Sequence, residues 1–288
     1  MSDLTVSAST EAEIQRLEAI AKQKIKRRWQ LVYFLRVLIL VVVLGSWELA
    51  GRYGWIDPFF WSIPSTIAQQ IWTWMTEGTA QGSLWMQILI TMEETVLGFL
   101  IGAVLGIICG IALGRNRLLA DVFSIYIKVA NSIPRVVLGS LFIIAFGLGM
   151  ASKVALAVVM VFFVVFANAF QGVREADRNL IANAQILGAS PSQVTRKVVL
   201  PSAMSWILAS LHVSFGFSLV GAVVGEFLGS RQGVGLLIAT AQGSFNTAGV
   251  FAAMIILAVL ALGAEFILTR IEGALLKWRP PQFADNAP

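Results

Sequence analysis

From Ile88 to Leu113 the chain is mostly apolar, and glycine recurs at 98, 102, 106, 110 and, just past the run, 114. As a helix, such a run is long enough to cross the hydrocarbon core of a bilayer, about 30 Å thick. Residues four apart fall near one helical face, so the five glycines form a strip without side chains. A neighbouring helix can approach such a strip closely. The strip therefore constrains packing, and it carries no chemistry of its own.

The rest of the chain is of the same kind. Of 288 residues 57% are hydrophobic and 13% charged, with a mean hydropathy of +0.79; a soluble domain carries about a quarter charged residues. The expected fold class is an all-α polytopic membrane protein of about six transmembrane helices. The 18 Phe and 9 Trp suit lipid contact and interfacial belts. The single cysteine, Cys109, lies inside an apolar run, so no disulfide framework exists. The net charge is +5, and the basic residues flank apolar spans. Orientation in the membrane and anionic headgroups account for that charge better than nucleic acid does.

Taken in order, residues 1–30 form a polar, cytoplasmic segment in which Glu11 to Arg28 reads as a short helix on the membrane surface. Lys22, Lys24, Lys26, Arg27 and Arg28 precede the first span, Leu31–Ala50. Residues 31–84 hold that span and an outer interfacial segment rich in Trp and Pro, with an amphipathic helix at Ile67–Met75. Residues 85–275 hold the core. Its second span is Ile88–Leu113, and a third, at 118–150, is broken by Pro134. A fourth runs over Val154–Phe170, a fifth over Ile207–Val224 and a sixth over Val250–Leu268, with an outer or re-entrant loop at 225–246. Residues 276–288, with Lys277 and Arg279, form a cytoplasmic tail. Of the 21 Lys and Arg, only Arg52, Lys153 and Arg231 fall in segments this map places outside. That bias favours cytoplasmic termini.

A polar, basic island, Ala182–Pro201, separates the fourth and fifth spans. Within it Ala184 precedes Gly188 by four residues, and Val198, Leu200 and Pro201 follow. This pattern resembles the EAA signature of ABC-importer permeases: Glu-Ala-Ala, three residues, Gly, nine residues, an aliphatic residue, one more, then Leu-Pro. Read physically it is a helix–turn–helix. A helix ends near Leu187, Gly188 supplies a positive φ, and Ser190-Pro191 caps and starts the next. Pro201 is expected to open the fifth span. The chain departs from the signature where Ala182 and Asn183 replace Glu-Ala; Glu175-Ala176 looks similar but sits seven residues early.

The resemblance extends over residues 85–275. It includes the glycine-spaced span, Ser132-Ile133-Pro134, Phe146-Gly147-Leu148-Gly149, and Gly225-Glu226 followed by Gly233-Val234-Gly235-Leu236-Leu237-Ile238. Together these resemble the nitrate/sulfonate/taurine branch of binding-protein-dependent permeases, with a type I importer fold. The resemblance implies a homodimer, two cytoplasmic ATPase subunits and an extracytoplasmic substrate-binding protein. It implies coupling helices at 175–201, with Glu175, Arg178, Ala182, Ala184, Gly188, Ala189, Ser190, Pro191, Arg196, Leu200 and Pro201 as coupling residues, and Lys197 as a further candidate for the missing Glu. The chain has no Gly-x-x-x-x-Gly-Lys-Ser/Thr stretch, so ATP and Mg belong to the partner ATPase and this chain carries no cofactor.

No catalytic constellation and no metal-ligand cluster stands out. The candidates for the translocation path are Asn131, Ser132, Pro134 and Arg135 at the broken span, with Lys128 nearby, and His212 and Glu226. His212 is either a path residue or a hydrogen-bonded packing residue. Glu226 either lines an outer gate or binds backbone N–H groups. Glu93 and Glu94 pair with a cation or face water, and Glu48 and Glu265 lie near span ends. The alternatives to an ABC permease are a gradient-driven secondary transporter or a structural membrane subunit. No clear internal repeat supports the former.

Overall fold

The computed structural model describes the backbone of residues 2–275 and most side chains between 16 and 270, with Arg117, Asn131 and Arg178 among the exceptions. The tail containing Lys277 and Arg279 lies outside the described residues. The chain divides into two units between Thr66 and Ile67. Among the described residues five helices are long and apolar enough to cross a membrane, or six when a bent pair counts as one span.

In the first unit, helix α1 runs unbroken over Ser2–Arg52, and a short α2 over Pro58–Trp61 follows. The expected surface helix and first span are thus one helix. No proline or glycine separates them, and a helix once started continues until something stops it. Glu48 ties the end of this helix down: its carboxylate accepts from Arg52 Nε at 2.7 Å and from the backbone N–H and hydroxyl of Ser65 at 3.0 and 2.8 Å. Asp57 caps α2 by accepting from the backbone N–H of Phe59.

Helix α3, Pro64–Thr76, begins just before the second unit and contains the expected amphipathic segment, with Ile67 and Trp74 buried. The core of the second unit is built from α4 (Leu84–Arg115), α7 (Met150–Arg174) and α10 (Leu200–Leu228). Helix α7 packs between the other two. The glycine strip of α4 is the contact surface. A Cβ at Gly98 would lie 2.3 Å from Ala157 Cβ. At Gly102 it would meet Val161, at Gly106 Val165, at Gly110 Ala169 and at Gly114 Val173, each within 3.0 Å. Both partners of each pair advance together, so α4 and α7 run parallel. Helix α10 packs antiparallel on α7, Gly221 against Ala157 and Gly225 against Lys153.

Helices α5 (Arg117–Ser132) and α6 (Leu138–Phe146) occupy the place of the expected broken third span as an apolar pair bent by 73° around Ile133-Pro134. Helices α8 (Arg178–Ile186) and α9 (Pro191–Val194) lie in the polar island, and α11 (Val234–Gly243) and α12 (Thr247–Leu275) close the chain. One expectation needs correction. Residues 225–228 belong to the last turn of α10, and α11 occupies much of the expected loop. Pro201 stands in the first turn of α10, as expected, although helical structure also precedes it. The helix is continuous from Pro191 to Leu228, and a π-helical stretch at Thr195–Val199 precedes the proline. Proline lacks the N–H that would bond the carbonyl four residues back, and it crowds that carbonyl; a wider turn accommodates both effects.

Candidate functional site

The polar island folds as a helix–turn–helix with both ends specified locally. Asp177 caps α8, accepting from the backbone N–H of Asn179 at 2.8 Å. At the other end Gly188 adopts φ +83°. Its N–H donates to the carbonyl of Gln185, and the N–H of Ala189 donates to that of Ala184, both at 2.9 Å. This pair of bonds is a Schellman motif, which favours glycine at the left-handed position. Ser190 then caps α9 in a reciprocal capping box with Gln193, and Pro191 sits in the first turn. The turn leaves Ile186 and Leu187, 82% and 86% exposed, at its tip, with Leu180 exposed behind them.

The other coupling candidates lie around this turn. Glu175 follows the end of α7 and accepts from Gln171 Nε2 at 2.7 Å. Ala182 is exposed on α8. Arg196 and Lys197 are exposed in the π-helical stretch, with Leu200 partly buried and Pro201 exposed beyond it. The side chain of Arg178, in the first turn of α8, is outside the described set.

At the opposite end of α10 lies a buried polar network. Glu226 is fully buried. It accepts from the hydroxyl of Thr91 and the backbone N–H of Gly235, both at 2.7 Å. The hydroxyl oxygen of Thr91 accepts from the N–H of Val234 at 2.9 Å, and Gln87 accepts from the N–H of Gly233 at 2.6 Å. Two α4 residues and one α10 carboxylate thus receive three successive N–H groups at the start of α11, where no intrahelical acceptor exists. Gly233 has φ +110°, and a Cβ there would fall 2.1 Å from Glu226 Oε1, so both the backbone and the space demand glycine.

Sequence reasoning did not bring Lys153 to this region, and it left Glu94 between pairing with a cation and facing water. Lys153, placed in an outer segment by the charge map, is fully buried in the first turn of α7 and donates to the carbonyls of Leu148 and Gly149 at 2.7 and 3.2 Å. Glu94 is 2% exposed, close enough to Glu226 and Lys153 to interact electrostatically, while Glu93 is exposed. Neither residue's burial has a local signal, because each depends on helices distant in sequence.

The remaining path candidates are separate from this network. Ser132 donates to the carbonyl of Lys128, Pro134 is exposed, and the Arg135 guanidinium lies 5.1 Å from the ring centre of Phe163. The backbone of Asn131 is helical; its side chain is not among those described. His212 Nε2 and Glu265 Oε1 are 2.5 Å apart, joining α10 to α12.

Several long apolar helices, with a polar helix pair in the segment between two of them, give the architecture of a multi-span membrane protein. Residues 102–277 match the family described as "binding-protein-dependent transport system inner membrane component", and this chain belongs to that family. It is 31% identical to the putative aliphatic sulfonates transport permease protein of Bacillus subtilis, over 91% of this chain and 93% of that one. It is 27% identical to the taurine transport system permease protein of Escherichia coli K12, over 91% and 96% of the two chains. Among solved structures, an inward-facing form of the MetNI methionine ABC transporter superposes with a TM-score of 0.59 at 20% identity, covering 66% of this chain and 95% of that one. The fold is that of a type I ABC importer permease, and the protein is a multi-pass inner-membrane transport subunit.

Proposed function

We propose that the chain forms the translocation path of an ATP-driven importer for a small anion, such as a sulfonate, taurine or nitrate, and meets cytoplasmic ATPases through residues 182–201. On this reading it pairs with a second copy of itself, two ATPase subunits and an extracytoplasmic binding protein, and both of its termini are cytoplasmic. The names of the sulfonate and taurine relatives support the substrate class. The carrying observation is the exposed turn at Ile186-Leu187-Gly188, whose two short helices are fixed by their own caps. Exposed apolar residues on a locally rigid polar element suit docking into a partner's groove.

Copurification tests this reading. Proline cannot adopt φ +83° and removes the N–H that bonds Gln185, so Gly188→Pro is expected to abolish ATPase retention while the chain still inserts into the membrane. Undiminished retention, or uptake by this chain alone on an ion gradient, would overturn the proposal. The substrate arm has its own test. Arg135→Ala is expected to slow anion uptake in the reconstituted importer by about tenfold, the scale of one lost charge-assisted contact, with the ATPase still bound. Unchanged uptake would remove Arg135 from the path.

A further inference from the structure

The parallel packing of α4 and α7 has a second consequence at the end of their seam. Gly114 packs on Val173, and the next residue of each helix is its last: Arg115 ends α4 and Arg174 ends α7. Both arginines line one polar cleft of about 600 Å³, together with Asp121 of α5 and Ala182 and Gln185 of α8. Among the described residues neither guanidinium has an ion pair or hydrogen bond; Arg174 lies 5.3 Å from the ring centre of Phe170. Among the described lining residues Asp121 is the one acidic group, so their ionic side chains leave an excess of one positive charge. An arginine at a helix C-terminus also interacts favourably with the helix dipole. That accounts for one arginine on each helix, and it does not account for two unpaired forks sharing a concave polar site beside the amide of Gln185.

We infer that this cleft binds an oxyanion of the phosphate or sulfonate type, held by the guanidinium groups of Arg115 and Arg174. A guanidinium presents paired N–H donors that match two oxygens of such an anion. Two sources share this chemistry: the phosphate of an anionic lipid headgroup, reached at the end of α4, and a free oxyanion in solution. Helix α8 contributes Ala182 and Gln185 to the wall, so an occupant bridges the candidate coupling element to the ends of α4 and α7. Only this consequence rests on the coupling role proposed above; the binding itself does not.

The test uses the permease–ATPase complex in phosphatidylcholine nanodiscs, without the binding protein. Thermal melting is followed while ethanesulfonate or inorganic phosphate is titrated. Separately, native mass spectrometry measures whether phosphatidylglycerol is retained over phosphatidylcholine from mixed nanodiscs. A saturable response to at least one probe is expected, and the double variant R115Q/R174Q is expected to weaken it by about tenfold or more. A response to the free anions assigns the site to solution oxyanions, and retention of phosphatidylglycerol alone assigns it to lipid. If the glutamine pair fails to fold, R115K/R174K keeps the charge but not the fork and is expected to weaken binding by about threefold or more. No saturable response in the wild type, or equal responses in wild type and variants, overturns the inference. If binding survives while Gly188→Pro leaves ATPase retention unchanged, the coupling proposal fails and the anion site stands.

Discussion

Replacing Gly106 by leucine is expected to destabilise the second unit strongly. A Cβ at this position would already lie 2.9 Å from both the carbonyl oxygen of Phe162 and Val165 Cβ, and 3.0 Å from the backbone nitrogen of Phe166. Two of these neighbours are backbone atoms of α7, and they cannot swing aside as the tip of a flexible side chain does. Three further carbons force α4 and α7 apart, and the contacts at Gly102 and Gly110 then open together, because all lie on one rigid seam. Overpacking of a core costs about 1–3 kcal/mol where side chains can rearrange; a clash with backbone puts this site at or above the upper end. The expected melting temperature in detergent is lower by about 6–12 °C, taking roughly 2–4 °C per kcal/mol for a chain of this size. Gly106→Ala meets the same atoms with one methyl and is expected to lose less. Gly45→Leu is the control, since a Cβ there has nothing within 4 Å. A Gly106→Leu protein melting with the wild type would show that the seam does not bear on stability.

How much of this could be read from the chain depends on how local each determinant is. The glycine strip declares a close approach, because its four-residue period is a property of one helix. It does not name the partner, and the register of Gly98 on Ala157 through Gly114 on Val173 exists only once two helices meet. The turn at Gly188 was legible in detail. Its glycine, its Ser-Pro start and its short spacing act within a few residues, and the structure places the helix end, the positive φ and the capping box there. Pro201 was legible for the same reason. A proline commonly marks the first turn of a helix, and it does so for α10; the π-helical stretch that joins α10 to α9 upstream has no such local mark. Lys153 entered the charge map only by the side it falls on, and its burial, with the carbonyls of Leu148 and Gly149 accepting its hydrogens, depends on packing that the map does not address. The His212–Glu265 contact and the Thr91–Glu226 contact join residues far apart in sequence. No pattern along one strand of text links such pairs. The helix pair of the polar island was therefore readable, while at the far end of α10 only the binding of backbone N–H groups by Glu226 was foreseen, and not its partners on α4.

That network carries the second large expected effect. Replacing Glu226 by alanine removes the acceptor of the Gly235 N–H and the nearer acceptor of the Thr91 hydroxyl, which keeps only the carbonyl of Gln87 at 3.1 Å, in a buried site. Deleting one partner of a buried charge-assisted contact costs about 3–5 kcal/mol, since the groups left behind keep their desolvation penalty. Glu226→Gln keeps the shape and one acceptor oxygen. Its amide nitrogen must then face either the Thr91 hydroxyl or the Gly235 N–H, and it satisfies neither as well as a carboxylate oxygen does. The order of stability is thus wild type, then Gln, then Ala. Thr91→Val removes the same hydroxyl contact from the other side and also orphans the N–H of Val234. Because Thr91→Val and Glu226→Gln share one bond, their effects are expected to be less than additive, by about 1 kcal/mol. A local readout separates loss of the latch from general unfolding. Arg231 lies exposed in the glycine-rich loop that the latch holds, so limited trypsin digestion at Arg231 in the detergent-solubilised protein is expected to accelerate in Glu226→Ala. Gly106→Leu opens a different seam, so any acceleration there should follow its global loss of stability, whereas in Glu226→Ala cleavage at Arg231 should outpace cleavage at other exposed arginines. Equal cleavage of wild type and Glu226→Ala at Arg231, with equal melting, would mean that the carboxylate does not hold the start of α11 in place.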